Sequence, residues 1–187
     1  MKIVLVSLIL VSQSFILFAQ EIKIVERNKK LEPNSMTFLN YGVAFGKDIW
    51  DSGDLMIFVN LSLNHIREDN IYSLKFLLGS DFNIFSGNSL AVSEVSALYG
   101  LVDKSKFGYG AISAGLGYVT VIRNIYDYYG IDEQKSAVGF VVEAQGFGNL
   151  FVVGIGMNAF LNLNTELIYG GIGLQIQIGD LMNEYHN

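Results

Sequence analysis

Three charged residues, Lys75, Glu94 and Glu143, are the side chains best placed to do chemistry together. Each lies inside a segment whose alternate residues are apolar, and each falls on the opposite, polar side of that segment. A lysine between two carboxylates predicts a buried ionic cluster, because an unpaired buried charge is costly. The same groups would also suit a proton or small-ion relay in which Glu94 and Glu143 titrate. We expect a structural cluster, whose remaining donors and acceptors are satisfied by Asn60, Gln145, Gln175 and Gln177.

The sequence contains few of the residues that catalysis or metal binding requires. The chain has two histidines, His65 and His186, and no cysteine, which excludes disulfides, thiolate metal sites and a thiol nucleophile. Neither histidine has carboxylates at the spacing of a metal site. Ser80 and Ser89 have no histidine near them that would activate a serine nucleophile. We therefore predict that the protein is not an enzyme and that it holds no metal or cofactor.

A surface site is predicted in residues 124–134. This stretch reads NIYDYYGIDEQ and combines aromatic with acidic side chains. Tyrosine supplies rigid contact area, which suits binding to a protein or a glycan. The alternative is a belt of aromatic side chains at a membrane interface. The residues of interest are Tyr126, Tyr128 and Tyr129.

The elements that carry these residues are predicted to be β-strands, because apolar residues recur at every second position. The clearest case is the stretch LMIFVNLSLNHIR at residues 55–67, in which every odd position from 55 to 63 is a branched aliphatic. Its later even positions include Asn60, Ser62 and Asn64. Seven further segments between Met36 and Ile178 alternate similarly, so we predict eight strands, each with one apolar and one polar face.

The lengths of the connections predict how the strands are arranged. The connections after strands two, four and six are brief, at residues 68–70, 103–106 and 146–149. Those after two of the odd-numbered strands are longer, at residues 47–53 and 124–134, and a third, at residues 85–89, is intermediate. The connection after strand seven, at residues 162–165, is short and breaks the trend. An even number of antiparallel strands, with short turns at one rim and longer loops at the other, is typical of a transmembrane barrel with both termini in the periplasm.

Alternation alone does not say which face of the barrel is outside, since a secreted lipocalin-like barrel also alternates. The polar face decides the question. It consists mostly of Gly, Ser, Asn and Gln, whereas a soluble sheet covers its outer face largely with charged residues and Thr. Only Lys75, Asp81, Glu94 and Glu143 place charges inside the predicted strands. Small uncharged side chains suit a narrow interior, so we predict that the apolar face turns towards lipid.

Aromatic residues on the apolar face fall near the two rims of this predicted barrel. Rings at the headgroup level of both interfaces are typical of membrane barrels, although aromatics are also common in strands generally. The predicted girdles consist of Tyr72, Tyr99 and Phe151 at the rim of short turns, and of Phe45, Phe82 and Tyr118 at the other rim.

Over Met36 to Ile178 the chain resembles the small eight-stranded outer-membrane β-barrels of Gram-negative bacteria. In the last strand, Tyr169, Gly171, Leu174 and Ile176 are similar to the terminal insertion signal that the barrel assembly machinery reads. The strand differs in having aliphatics where aromatics are usual, and the chain continues as DLMNEYHN. The resemblance implies insertion by that machinery and residence in the outer membrane.

The chain of 187 residues suffices for one sizeable domain. Residues 1–19 are predicted to be a cleaved signal peptide, because one Lys precedes an apolar run that ends at a small residue, Ala19. We further predict a flexible, charged periplasmic leader at residues 20–35, the barrel at residues 36–179 and a tail at residues 180–187. The formal charge of −6 argues against nucleic acid as a partner.

Two functions are compatible with such a barrel. The first is a structural or interaction scaffold with a filled polar lumen, which presents surface loops to an extracellular or periplasmic protein partner and contacts outer-membrane lipid. The second is a carrier or binder of a small hydrophobic molecule, either as a membrane barrel or as a secreted lipocalin-like barrel.

Overall fold

Alternating side chains favour extended backbone, and the computed structural model consists of strands throughout most of the part that it describes. The described residues are 35–49, 55–81, 89–105, 107–125, 131–150 and 153–179. All eight predicted strands are present, as β1 Ser35–Asp48, β2 Leu55–Arg67, β3 Asn70–Asp81, β4 Ser89–Ser105, β5 Gly108–Ile125, β6 Ile131–Leu150, β7 Val153–Leu163 and β8 Tyr169–Gly179. The predicted signal peptide and the tail at residues 180–187 lie outside the described residues.

The strands form one closed antiparallel barrel in chain order, in which β1 pairs with both β2 and β8. The closing ladder runs from Phe38 opposite Gly179 to Asp48 opposite Tyr169. Closure pairs the backbone N–H and C=O groups around the whole wall, which strands must do to cross hydrocarbon. The predicted eight-stranded antiparallel up-and-down transmembrane β-barrel is therefore confirmed. No helix among the described residues is long and apolar enough to cross a membrane.

The apolar face of the strands lies on the outside of the barrel. Leu116, Ile172 and Leu174 each expose more than 60% of their surface, whereas Asn40 and Gln177 are buried. A soluble barrel would show polar and charged side chains outside. The arrangement matches a lipid-facing surface and does not match the secreted lipocalin-like alternative.

Aromatic side chains lie near both rims of the lipid-facing surface. We call the rim of the short turns the inner rim and the rim of the longer loops the outer rim. Tyr72 and Tyr99 lie near the inner rim with their ring centroids 5.3 Å apart. Phe45 and Tyr118 are exposed towards the outer rim. The other two predicted members of the girdles, Phe82 and Phe151, lie outside the described residues.

Strands β5 and β6 are longer than the alternation predicted. They contain 18 and 20 residues, and their ladder continues to Ile125 opposite Ile131. Much of the predicted loop at residues 124–134 is therefore strand, and the predicted turn at residues 146–149 belongs to β6. The ladder between β6 and β7 ends at the pair of Phe140 and Leu163. The β5–β6 hairpin thus extends beyond β7 at the outer rim.

The interior consists of three layers along the barrel axis. The outer apolar layer is formed by Ala44, Met56, Phe58, Leu77, Val92, Val119, Val121, Phe160, Leu167 and Tyr169. The inner apolar layer is formed by Phe38, Ile66, Ile71, Val102, Tyr109, Ala111 and Phe147. Buried polar residues lie between them; in β2, for example, Asn60 to Asn64 separate Phe58 from Ile66. The lumen is thus filled, but it is less uniformly polar than the sequence predicted.

The turn between β2 and β3 contains a strained residue. Arg67 pairs with Asn70, so the turn consists of Glu68 and Asp69. Glu68 has a φ of 55°, a left-handed conformation that costs most L-residues roughly 1–2 kcal/mol. The carbonyl of Asp69 accepts a hydrogen bond from the backbone N–H of Val102 at 2.9 Å. This contact ties the turn to β4 and holds its conformation.

We expect Glu68→Asn to raise the free energy of unfolding by roughly 0.5–1 kcal/mol, because Asn tolerates the left-handed region better than Glu does. Urea unfolding of the barrel in lipid vesicles measures the change. Asp69→Asn is the matched control, since the described part of the chain has a positive φ at no other non-glycine residue. Equal effects of the two substitutions would contradict the assignment of strain to Glu68.

Candidate functional site in the barrel interior

An ion pair crosses the middle of the lumen. Lys75 of β3 and Glu143 of β6 point inwards because they lie on the polar face of their strands. Their side chains meet because β3 and β6 face each other across the narrow lumen. Lys75 Nζ lies 2.9 Å from Glu143 Oε2, and both residues are at least 95% buried. The ammonium also lies 4.4 Å from the ring centroid of Phe160, which adds a cation–π contact.

Glu143 has a second partner at its other carboxylate oxygen. Asn158 Nδ2 of β7 donates to Glu143 Oε1 at 2.8 Å. Both oxygens of this buried carboxylate are therefore paired, one with a cation and one with an amide. A buried ion pair is tolerated when the remaining polar atoms of both side chains also have hydrogen-bond partners.

Glu94 belongs to a separate group nearer the outer rim. Its Oε2 accepts hydrogen bonds from Asn162 Nδ2 at 3.0 Å and from the hydroxyl of Tyr169. Its Oε1 is buried without a hydrogen-bond partner among the described residues. The structure thus brings together two of the three residues predicted as one cluster, Lys75 and Glu143, and gives Glu94 neutral partners instead.

The four amides predicted to satisfy the charged cluster instead bond to one another, to Asn40 and to an aromatic hydroxyl. Asn40 Nδ2 donates to Gln145 Oε1 at 3.3 Å, and Gln175 Nε2 donates to Asn60 Oδ1 at 3.1 Å. The hydroxyl of Tyr109 donates to Gln177 Oε1 at 3.0 Å. These bonds link strands that are not neighbours in the wall, so they brace the barrel from within.

Sequence reasoning missed several residues of this interior. The alternation predicts an inward position for Asn158 and Tyr169 but no partner for either, and it predicts a short connection at residues 162–165, which includes Asn162. Phe58 and Phe160 also point inwards, where their rings pack edge to face at 5.3 Å. The only signal for these residues is their phase in the alternation, which identifies a face but not a partner across the lumen.

A short loop covers part of the outer end of the lumen. Asn164 Oδ1 accepts hydrogen bonds from the backbone N–H groups of Glu166 and Leu167, both at 2.9 Å. This turn places the buried side chain of Leu167 in the outer apolar layer. Arg123 Nη2 of β5 donates to the carbonyl of Glu166 at 3.1 Å. The loop is therefore held down from two sides.

A second ion pair lies on the inward side of the extended β5–β6 hairpin. Lys135 Nζ and Glu133 Oε1 are 2.9 Å apart, and both side chains are more than 40% exposed. The hydrogen bond from Lys135 lowers the pKa of the Glu133 carboxyl. This pair differs from the pair of Lys75 and Glu143 chiefly in its exposure to solvent, which makes it a useful control.

The remaining predicted sites are not assembled for chemistry. His65 Nδ1 lies 2.9 Å from Thr37 Oγ1 near the inner rim, whereas Ser80 lies at the opposite end of the barrel. Within the described ranges, no group of three or more His, Asp or Glu residues is arranged to hold a metal ion. Tyr126, Tyr128 and Tyr129 lie outside the described residues.

We expect Glu143→Gln to lower the free energy of unfolding by roughly 3–5 kcal/mol, because it leaves the Lys75 ammonium buried without an opposite charge. Thermal and urea unfolding in detergent micelles measure the loss. The double variant with Lys75→Met and Glu143→Leu should recover most of it, since both charges are then removed. Glu133→Gln, which breaks the exposed pair, should leave unfolding unchanged. A wild-type melting profile for Glu143→Gln would contradict this account.

Comparisons with known proteins show which solved structures the barrel is similar to. No protein-family model matches the chain, and no curated protein matches it. Neisserial surface protein A matches with a TM-score of 0.61 at 10% identity, over 77% of this chain and 96% of that one. The attachment invasion locus protein of Yersinia pestis matches with a TM-score of 0.57 at 15% identity, over 80% of this chain and 99% of that one.

Two further structures extend the comparison. The N-terminal β-barrel domain of Pseudomonas aeruginosa OprF matches with a TM-score of 0.52 at 13% identity, over 78% of this chain and 97% of that one. Another structure of the Yersinia protein contains the heparin analogue sucrose octasulfate. At such identities the likeness concerns the fold. The chain has the fold of the small eight-stranded outer-membrane β-barrels, and its apolar exterior agrees with the outer-membrane location predicted from the sequence.

Proposed function

We propose that the protein is a non-conducting, non-catalytic scaffold of the outer membrane, which presents its outer loops to a protein partner outside the cell. The single observation that carries this proposal is the filled lumen. A polar layer with a crossing ion pair lies between two apolar layers, and aromatic rings pack in both of those layers. Because such an interior leaves no open path for a solute within the part of the barrel that the structure describes, it supports a function that is carried out by the surface of the barrel.

The outer rim supports a role in presentation. The β5–β6 hairpin extends beyond the end of β7, and the segment that joins Ile125 to Ile131 contains the three predicted contact tyrosines. Arg123, Glu133 and Lys135 line the inward side of the hairpin. A paired hairpin base that carries an aromatic and acidic connecting sequence suits protein recognition, because tyrosine side chains supply large contact area.

Among the similar structures, one is named for attachment and invasion. We propose an extracellular protein partner for this chain as well. We also propose that the barrel assembly machinery inserts the chain after a signal peptide at residues 1–19 has been removed. The carrier hypothesis receives less support, because the described interior side chains pack against one another where a carrier would hold its ligand.

We expect the purified barrel to give no conductance steps in planar lipid bilayers, because the apolar layers at Phe58 and Tyr109 exclude hydrated ions from both ends of the lumen. A general porin inserted in the same bilayers provides the positive control. Reproducible ion conductance of the wild-type chain would overturn the closed-lumen scaffold.

We expect replacement of Tyr126, Tyr128 and Tyr129 by Ser to reduce binding of barrel-displaying cells to immobilised extracellular-matrix proteins at least tenfold, since aromatic anchors supply much of the affinity at protein interfaces. The matched control replaces the same residues by Phe, which keeps the ring area. Heat-dependent gel mobility checks that both variants fold. Undiminished binding by the Ser variant, or no binding by wild type, would contradict the proposed role of the loop.

A further inference from the structure

A groove on the lipid-facing surface is independent of the closed lumen. It is a largely open depression with a volume of about 800 Å³. Its lining runs from Asp103, near the inner rim on β4, to Ile172, nearer the outer rim on β8. The floor is made of small residues and the walls of large apolar ones. The floor includes Gly110, Gly146, Ala144 and Ala159, and the walls include Leu101, Ile112, Met157 and Ile172.

The strand register explains the shape of the groove. One row of ladder partners runs around the barrel through Asp103, Gly110, Gly146 and Met157. The row above it, towards the outer rim, runs through Leu101, Ile112, Ala144, Ala159 and Ile172. Both rows face lipid because alternate residues of a strand share one face. The small residues fall together on β6 and its neighbours, so the depression follows β6.

The glycines of the floor are not required by packing within the barrel. A Cβ at Gly115 would lie 1.9 Å from the carbonyl oxygen of Ala97, so that glycine is needed. A Cβ at Gly146 would meet nothing within 4 Å, and one at Gly110 would meet only the backbone oxygen of Gln145, at 4.0 Å. Glycine within a strand is destabilising by roughly 0.5–1 kcal/mol. Their shared benefit is therefore the open space outside the wall.

The chemistry of the groove selects an amphipathic occupant. Its walls are aliphatic, and on β4 its lining reaches Asp103 near the inner rim, where lipid headgroups of the periplasmic leaflet lie. The exposed carboxylate of Asp103 stands at this end. Lys104, the next residue, belongs to the opposite face of β4 by the alternation. A carboxylate at headgroup level attracts an ammonium group and repels an anionic headgroup.

We propose that this groove binds one phospholipid of the periplasmic leaflet, with an acyl chain along β6 and the ammonium of an ethanolamine headgroup paired with Asp103. The site is a lipid-binding site on the barrel wall and does not depend on the proposed scaffold function. An acyl chain without a headgroup would contact the apolar walls of the groove but would leave the Asp103 carboxylate without an ammonium partner. The headgroup preference is therefore the distinguishing property of the site.

The experiment reconstitutes the full barrel in vesicles of equimolar phosphatidylethanolamine and phosphatidylglycerol, and releases it into mild detergent for native mass spectrometry. We expect wild type to retain one phosphatidylethanolamine. Gly146→Leu fills the floor where nothing lies within 4 Å of the new Cβ, and it should lower retention at least tenfold. Asp103→Asn should retain lipid but lose the preference for phosphatidylethanolamine. Ala97→Leu, at an exposed lipid-facing position outside the groove, is the matched control and should behave as wild type.

Each other outcome overturns the proposal. Equal lipid retention by wild type and Gly146→Leu would show that the groove is not a site. Equal retention of both lipids by wild type would remove the role of Asp103. A dimer that is lost in Gly146→Leu would show that a second copy of the chain occupies the groove. Heat-dependent gel mobility verifies that Gly146→Leu remains a folded barrel, so loss of lipid cannot be ascribed to misfolding.

Discussion

The constraint on which this structure depends is that hydrocarbon offers no partner for a backbone N–H or C=O group. Pairing β1 with β8 satisfies that constraint by closing the wall. Closure also divides the side chains into two sets, since each residue of a strand then faces either lipid or lumen. Eight strands enclose a narrow lumen, so the inward set must fill a small volume and find most of its polar partners within that set. The ion pair, the amide contacts and both apolar layers all follow from that division.

One pair of opposite charges lies in the middle of the interior. Lys75 and Glu143 meet between the two apolar layers, where water has little access, and Asn158 completes the carboxylate. The low dielectric strengthens such contacts and makes an unpaired partner expensive. Phe58 stacks on Tyr169 at a centroid distance of 5.6 Å on the outer side, and Tyr109 stacks on Phe147 at 5.3 Å on the inner side. The polar layer and its apolar covers therefore act together as one plug.

Alternation predicted the eight strands, the lipid-facing side and the inward position of Lys75, Glu94 and Glu143, because each of these is a local property of a period of two. It did not predict that Lys75 would form its ion pair with Glu143 and not with Glu94. That choice depends on which strands face each other across the lumen, and the spacing of residues in one strand carries no such information. The ends of β5 and β6 were also missed, since polar residues there resemble a loop until their ladder partners are known.

The ladder between β1 and β8 also restricts how the barrel can be assembled. Every arrangement of fewer than eight of these strands leaves two rows of bare peptide groups, and in a bilayer neither row finds a partner. The wall becomes complete only when Tyr169–Gly179 reaches Ser35–Asp48. Stepwise insertion of hairpins into lipid is therefore unfavourable at every intermediate stage. The membrane must receive a nearly finished cylinder, or another protein must shield the two seams until they join.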